Sequence, residues 1–225
     1  MSQQISNLFE QLKAQCADEW RAYCEHDFVE QLGAGSLPEP CFRHYLLQDY
    51  LFLIHFARAH ALQVYKAENL TDMTAAATAL NGLLATEMSL HVGYCRSWGI
   101  DPESLEQVAE APANMAYTRY VLERGLAGDM LDLHVALLPC TVGYAEIGAR
   151  LIKEHAVSLE QNPYRSWIEA YAADDYQAAA RQAVSNLERL ATRASSARFD
   201  ALCKTFRQAT RLEIGFWDMG LAPDS

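Results

Sequence analysis

The chain lacks the features that mark several large functional classes. Its six cysteines (Cys16, Cys24, Cys41, Cys95, Cys140 and Cys203) form no C-x-x-C pair, which removes sequence support for a structural zinc site. In a chain of 225 residues without a secretory signal they read as free thiols of a reducing cytosol. Basic residues are outnumbered 18 to 29 by acidic ones, and a net charge of −11 repels phosphate backbones and anionic membranes. Arg189, Arg193 and Arg198 are dispersed among small residues and read as a solvated helix face. There is no Gly-rich phosphate loop and no G-x-S-x-G elbow. The stretch from Met1 to Asn7 is polar, with no basic region leading into an apolar run. The apolar stretch from Tyr45 to Ala61 is interrupted by Gln48, Asp49, His55, Arg58 and His60, so it reads as a buried helix and not a membrane span.

Glycine and proline are also scarce, at 11 and 7, and they collect at breaks. Gly33 to Pro38 ends a first helix, and a second runs from Ser36 or the next turn to about Lys66. Thr71-Asp72 caps a third helix that runs towards Trp98, and Asp101-Pro102 caps a short one. Pro112 opens another, which stops near Gly125 or Gly128, and a long helix follows from Asp129 to His155. Asn162-Pro163 starts a helix containing Trp167 and Tyr171, and two more fill residues 174–194 and 196–219. No segment alternates long enough to make a strand. With no internal repeat or linker, residues 1–225 read as one all-α domain, a compact bundle of about seven or more helices.

In such a bundle the informative residues are polar ones on apolar stripes. Leu133, Leu137, Cys140, Tyr144, Ile147 and Leu151 recur at steps of three and four. Pro139, just before Cys140, removes a helical hydrogen bond, frees the Val135 carbonyl and favours a bend. Cys140 is therefore either a small core residue or the thiol of a pocket wall. Glu213 falls on the stripe of Phe206, Ala209, Phe216 and Trp217; buried, it needs a partner or a proton, and otherwise it makes a surface pair. Asp49 sits among Phe42, Tyr45, Phe52 and Phe56, where it lines a pocket or ties helices together. Glu87 and His91 are four apart and can touch. Without a Glu-x-x-His repeat they read, like His55 and His60, as structural or surface residues. A thiol and two acids from three helices, walled by Tyr117, Tyr120, Trp167 and Tyr171, suit a flat heteroaromatic ring.

Ala136-Leu137-Leu138-Pro139-Cys140, followed by Tyr144 and Glu146-Ile147-Gly148, resembles the signature of the TenA family, thiaminase II. Phe42-x-x-Tyr45-x-x-Gln48-Asp49, Glu87-Met88-x-x-x-His91, Tyr117-Thr118, Trp167-Ile168-x-x-Tyr171 and Glu213-x-x-Phe216-Trp217-x-Met219 continue the match in order. The resemblance implies a haem-oxygenase-like fold without haem, a homotetramer, a cytoplasmic location and no cofactor. It implies hydrolysis of a 4-amino-5-aminomethylpyrimidine to the hydroxymethyl compound of thiamin salvage, with thiamin cleavage as a related activity. Cys140 would then be the nucleophile and Glu213 the acid. Asp49 would accept hydrogen bonds from the ring, and Tyr117, Tyr144, Tyr171 and Phe52 would line the pocket. Phe52, Met115 and Thr141-Val142 stand where the family often has aromatic or hydroxyl-bearing residues, changes that enlarge the pocket or remove a hydroxyl. Two other readings are a pyrimidine-binding or regulatory protein without turnover and an oxygenase on the same scaffold; the second finds no haem-ligand signal in the sequence.

Overall fold

The computed structural model describes residues 7–99, 105 and 107–223, and among them every regular element is helical. The expected first helix is three short ones: α1 (Leu8–Gln15), α2 (Ala17–Cys24) and α3 (Asp27–Ala34). Each presents a few apolar side chains to the core, including Leu12, Trp20 and Phe28. Gly35 stops α3 at φ 72°, a left-handed position that glycine adopts without a Cβ clash. Pro38 fixes the chain before α4 (Glu39–Lys66). This 28-residue helix is apolar on most sides and lies inside the bundle.

The expected third helix is interrupted. Asn69, not Thr71 or Asp72, caps α5 (Leu70–Gly82) by accepting the Asp72 N–H at 3.0 Å. A single π-helical turn, Leu83–Glu87, then joins α5 to α6 (Met88–Ser97). The proposed Asp101-Pro102 cap lies outside the described residues. Pro112 opens α7 (Pro112–Ala127). A capping box of Asp129 and Asp132 starts α8 (Met130–Glu154). Next come α9 (Arg165–Ala172), α10 (Asp174–Ala191) and α11 (Phe199–Leu221).

Helix α8 is the centre of the bundle, packed by α4, α7, α9, α10 and α11. By length and composition it could cross a membrane, but 72% of its most apolar window is buried among the other helices, as in a core helix. The helix runs without interruption through Pro139. Two glycines let its neighbours come close: a Cβ at Gly143 would meet the Tyr23 ring at 2.1 Å, and one at Gly148 would meet the Tyr171 backbone at 2.7 Å. Glu146, in the same motif, binds Lys13 at 2.6 Å and the Trp20 indole at 2.9 Å, anchoring α1 and α2. The arginines read as a solvated face are engaged. Arg189 and Arg193 both hold the buried Asp72 carboxylate, and Arg198 clamps Asp129 and Asp132.

Candidate functional site

Asp49, Cys140 and Glu213 are all buried, on α4, α8 and α11 respectively. The fields of both acids reach the thiol. Burial, followed by the fields of Glu213, Glu87 and Asp49, pushes the Cys140 thiol well above its usual range. The resting group is therefore a thiol, and it must give up its proton as it reacts.

Glu213 is 2% exposed and pairs with a hydroxyl, so the surface alternative fails. Tyr117 donates to its Oε1 at 2.8 Å. Burial raises its pKa to about 8 and the Asp49 charge adds to this, while the Tyr117 bond opposes them. At neutral pH Glu213 therefore holds a proton that it can donate.

Of the two roles that the pattern left open for Asp49, the hydrogen bonds show the tying of helices. Its Oδ2 accepts from the Tyr45 hydroxyl at 2.9 Å and contacts His91 Nε2 at 2.6 Å. Because Tyr45 donates to Asp49, its oxygen accepts from Tyr144 at 3.3 Å and from the Trp167 indole at 3.2 Å. His91 is fully buried, and its Nδ1 faces the Glu87 carbonyl at 2.8 Å. That carbonyl can only accept, so Nδ1 carries a proton while Nε2 faces a carboxylate. Burial works against the imidazolium, but Asp49 and the Glu87 carbonyl outweigh it and raise the pKa of His91. Asp49 and His91 are thus a buried ion pair joining α4 to α6.

Of the residues read as structural or surface, His91 is structural, holding Asp49, and Glu87 is half-buried beside the cavity described below. Burial raises Glu87 to about 7, so near neutral pH it exchanges a proton readily. Their four-residue spacing was the one available signal. It could not show that the π turn ending at Glu87 brings this helix against Asp49, a placement π turns often serve at functional sites.

Aromatic rings wall the cluster. Tyr144 packs on Tyr171 with centroids 4.8 Å apart and on Trp217 at 5.3 Å. Phe52 packs on Tyr117 at 5.0 Å and on Phe216 at 5.5 Å. Tyr23 donates to the Pro139 carbonyl at 3.3 Å, beside the thiol. Two side chains fall elsewhere. Tyr120 is half-buried and reaches the Thr205 carbonyl at 3.4 Å, and Met115 is exposed, so its identity does not shape this wall. Among the described residues no three His, Cys, Asp or Glu side chains are grouped to hold a metal ion.

A cavity of about 600 Å³ lies alongside, between α5 and α10 and floored by α4 and α8. Cys140 is not in its wall, but its neighbour Thr141 is, together with Glu87 and Tyr176.

The TENA/THI-4/PQQC family model matches residues 13–222. An uncharacterized protein of Haemophilus influenzae is 43% identical over 95% of this chain and 99% of its own length. An aminopyrimidine aminohydrolase of Halalkalibacterium halodurans is 38% identical, with 89% of each chain covered. A crystal structure from Silicibacter sp. TM1040, described as a TenA family transcription regulator, superposes with a TM-score of 0.91 at 48% identity, covering 96% of this chain and 97% of that one. A less similar structure, with a TM-score of 0.71 at 14% identity, is described as having a heme oxygenase-like fold. On this match the chain belongs to the TENA/THI-4/PQQC family.

Proposed function

We propose that this protein is a hydrolase that replaces the exocyclic amine of 4-amino-5-aminomethyl-2-methylpyrimidine with a hydroxyl, releasing ammonia in a step of thiamin salvage. The name of the Halalkalibacterium relative supports the substrate class. One observation carries the chemistry. A buried thiol, a carboxylic acid protonated at neutral pH and an ion-paired carboxylate converge inside one aromatic wall.

Both contacts to Asp49 use Oδ2, so Oδ1 is available for the amino-amidine edge of the ring. Tyr144, Tyr171 and Phe52 hold the ring plane by stacking and edge contacts. Cys140 adds to the ring, and Glu213 supplies a proton to a ring nitrogen or to the departing amine. The thiol proton passes to Glu87, whose field reaches Cys140 and which, with its pKa raised to about 7, is partly ionised at neutral pH. Ammonia leaves, water adds at the exocyclic carbon, and the thiol departs with its proton restored. His91 is a positioning residue, holding Asp49 in orientation. The same reading brings a cytoplasmic homotetramer, which light scattering of the purified protein tests.

The deciding experiment measures ammonia release by the wild type and by Cys140→Ala, with helicity checked by circular dichroism. Loss of turnover in a folded variant is the expected result, and a folded variant that retains it overturns the nucleophile assignment. Tight pyrimidine binding by a wild type without turnover would instead make the protein a binder.

A further inference from the structure

The hydrogen bonds around Asp49 fix the direction of each proton between it and the aromatic wall. Asp49 Oδ2 is a carboxylate oxygen and accepts, so the Tyr45 hydroxyl spends its one proton on it at 2.9 Å. Two lone pairs remain on the Tyr45 oxygen. The Trp167 indole, which can only donate, takes one of them at 3.2 Å. The other faces the Tyr144 hydroxyl at 3.3 Å, where only Tyr144 has a proton left to give. Tyr45 is fully buried, and its oxygen is saturated.

Tyr144 has thereby committed its proton. Its oxygen keeps two lone pairs, and it makes no other hydrogen bond to the described residues. Tyr144 stands one turn beyond Cys140 on the inward stripe of α8, is 4% exposed, and lies within the fields of both Asp49 and Glu213. Asp49 Oδ1 and Tyr144 Oη are therefore two neighbouring acceptors, joined through one buried phenol. Glu213 has the reverse character. Tyr117 donates to its Oε1, so the proton that burial keeps on this acid sits on Oε2, which is a donor.

This polarity reads a ring substituent. A 4-amino group carries two N–H donors, one for each acceptor. A 4-oxo ring of the same shape offers Asp49 an equally good donor, its own ring N–H, so the carboxylate alone does not tell the two rings apart. Tyr144 does. Against it the oxo ring sets a carbonyl oxygen, and two desolvated acceptors then meet with no proton between them.

We propose that Tyr45 is the positioning residue that sets the specificity of this pocket: it holds Tyr144 as a pure acceptor, which admits a 4-aminopyrimidine and turns away its 4-oxo counterpart. The proposal rests on the hydrolase reading and deepens its substrate class. Tyr45 acts through Tyr144 and needs no contact with the ring. Tyr45→Phe keeps an aromatic ring in the wall but removes the oxygen that occupies the Tyr144 proton. The freed hydroxyl then turns and donates to a carbonyl.

Isothermal titration calorimetry with two ligands tests it: 4-amino-5-hydroxymethyl-2-methylpyrimidine and the 4-oxo ring with the same substituents. Neither carries the exocyclic amine, so binding is read without turnover. Wild type is expected to bind the amino ring more than about tenfold tighter, and Tyr45→Phe to reduce that preference at least about fivefold. Tyr144→Phe, which removes the acceptor itself, is expected to reduce it as much, and the double variant no further. A loss of packing alone would weaken both ligands together and leave their ratio unchanged. A wild-type preference below tenfold, or a preference that falls less than fivefold in Tyr45→Phe, overturns the proposal. Should circular dichroism show Tyr45→Phe unfolded, Tyr144→Phe decides, and a preference retained there overturns it. A wild type that binds neither ring defeats the hydrolase reading itself, whereas one that binds the amino ring and keeps its preference in the variants defeats the proposal alone.

Discussion

Replacing Glu213 by Gln should stabilise the protein, by an amount that depends on pH in a defined way. An unfolded Glu loses its proton near 4.5, whereas buried Glu213 holds it to about 8. Between those values the folded state binds more protons than the unfolded state, so this group makes stability fall as pH rises. Below 4.5 both states are protonated and the group costs nothing. Above 8 both are ionised, and the full cost, about 5 kcal/mol at 1.36 kcal/mol per pH unit, is present. The amide introduced by Glu213→Gln would keep an oxygen for the Tyr117 hydroxyl and carry no titrating proton. The difference in unfolding free energy between Glu213→Gln and wild type should therefore grow through pH 5–8 and level off above it. Urea denaturation of both proteins at pH 5, 6, 7, 8 and 9 measures this directly. A difference that stays flat with pH, or that shrinks as pH rises, would refute the burial argument and with it the claim that Glu213 is protonated at neutral pH. The same variant should lose most ammonia release, because the proton that burial holds in place is the one the reaction uses.

The remaining expectations concern the supports of the site. His91→Leu strands the buried Asp49 charge and should cost roughly 3–5 kcal/mol of stability by urea midpoint. Because the folded pKa of His91 is raised, its contribution is fully present below about 6.5 and lost as pH climbs through the raised value, so the deficit should narrow at alkaline pH. Gly143→Ala puts a methyl group into the Tyr23 ring and should destabilise by about 1–3 kcal/mol; Tyr23→Ala in the same chain should remove most of that clash. Asp72→Asn weakens the clamp from Arg189 and Arg193 on α5, and amide exchange across residues 70–82 should quicken while α8 stays protected.

Much of this molecule was legible along the chain, and the reason is periodicity. The spacing of apolar residues at three and four placed α4, α8 and α11, because a helix must bury one face and repeats it every 3.6 residues. The same spacing singled out Asp49, Cys140 and Glu213 as polar intruders, and proline and glycine marked most of the breaks. What failed was local. Cys16 and Glu25–His26 divide the first stretch into three helices without a proline or glycine to announce it. The π turn at Leu83–Glu87 leaves no mark in composition. Met115 lies on the right helix but points outward, a rotation that motif matching does not report.

Which side chains could do chemistry is written along the chain, since residue type and helical period are local properties. Their protonation and company come from the packing of the helices. The proton on Glu213, the imidazolium of His91 beside Asp49 and the closed thiol of Cys140 all arise from burial and from partners distant in sequence. His91 and Asp49 are 42 residues apart, and Tyr117 and Glu213 are 96 apart. Desolvation and field act through space, and helix packing is what brings these groups within range of one another.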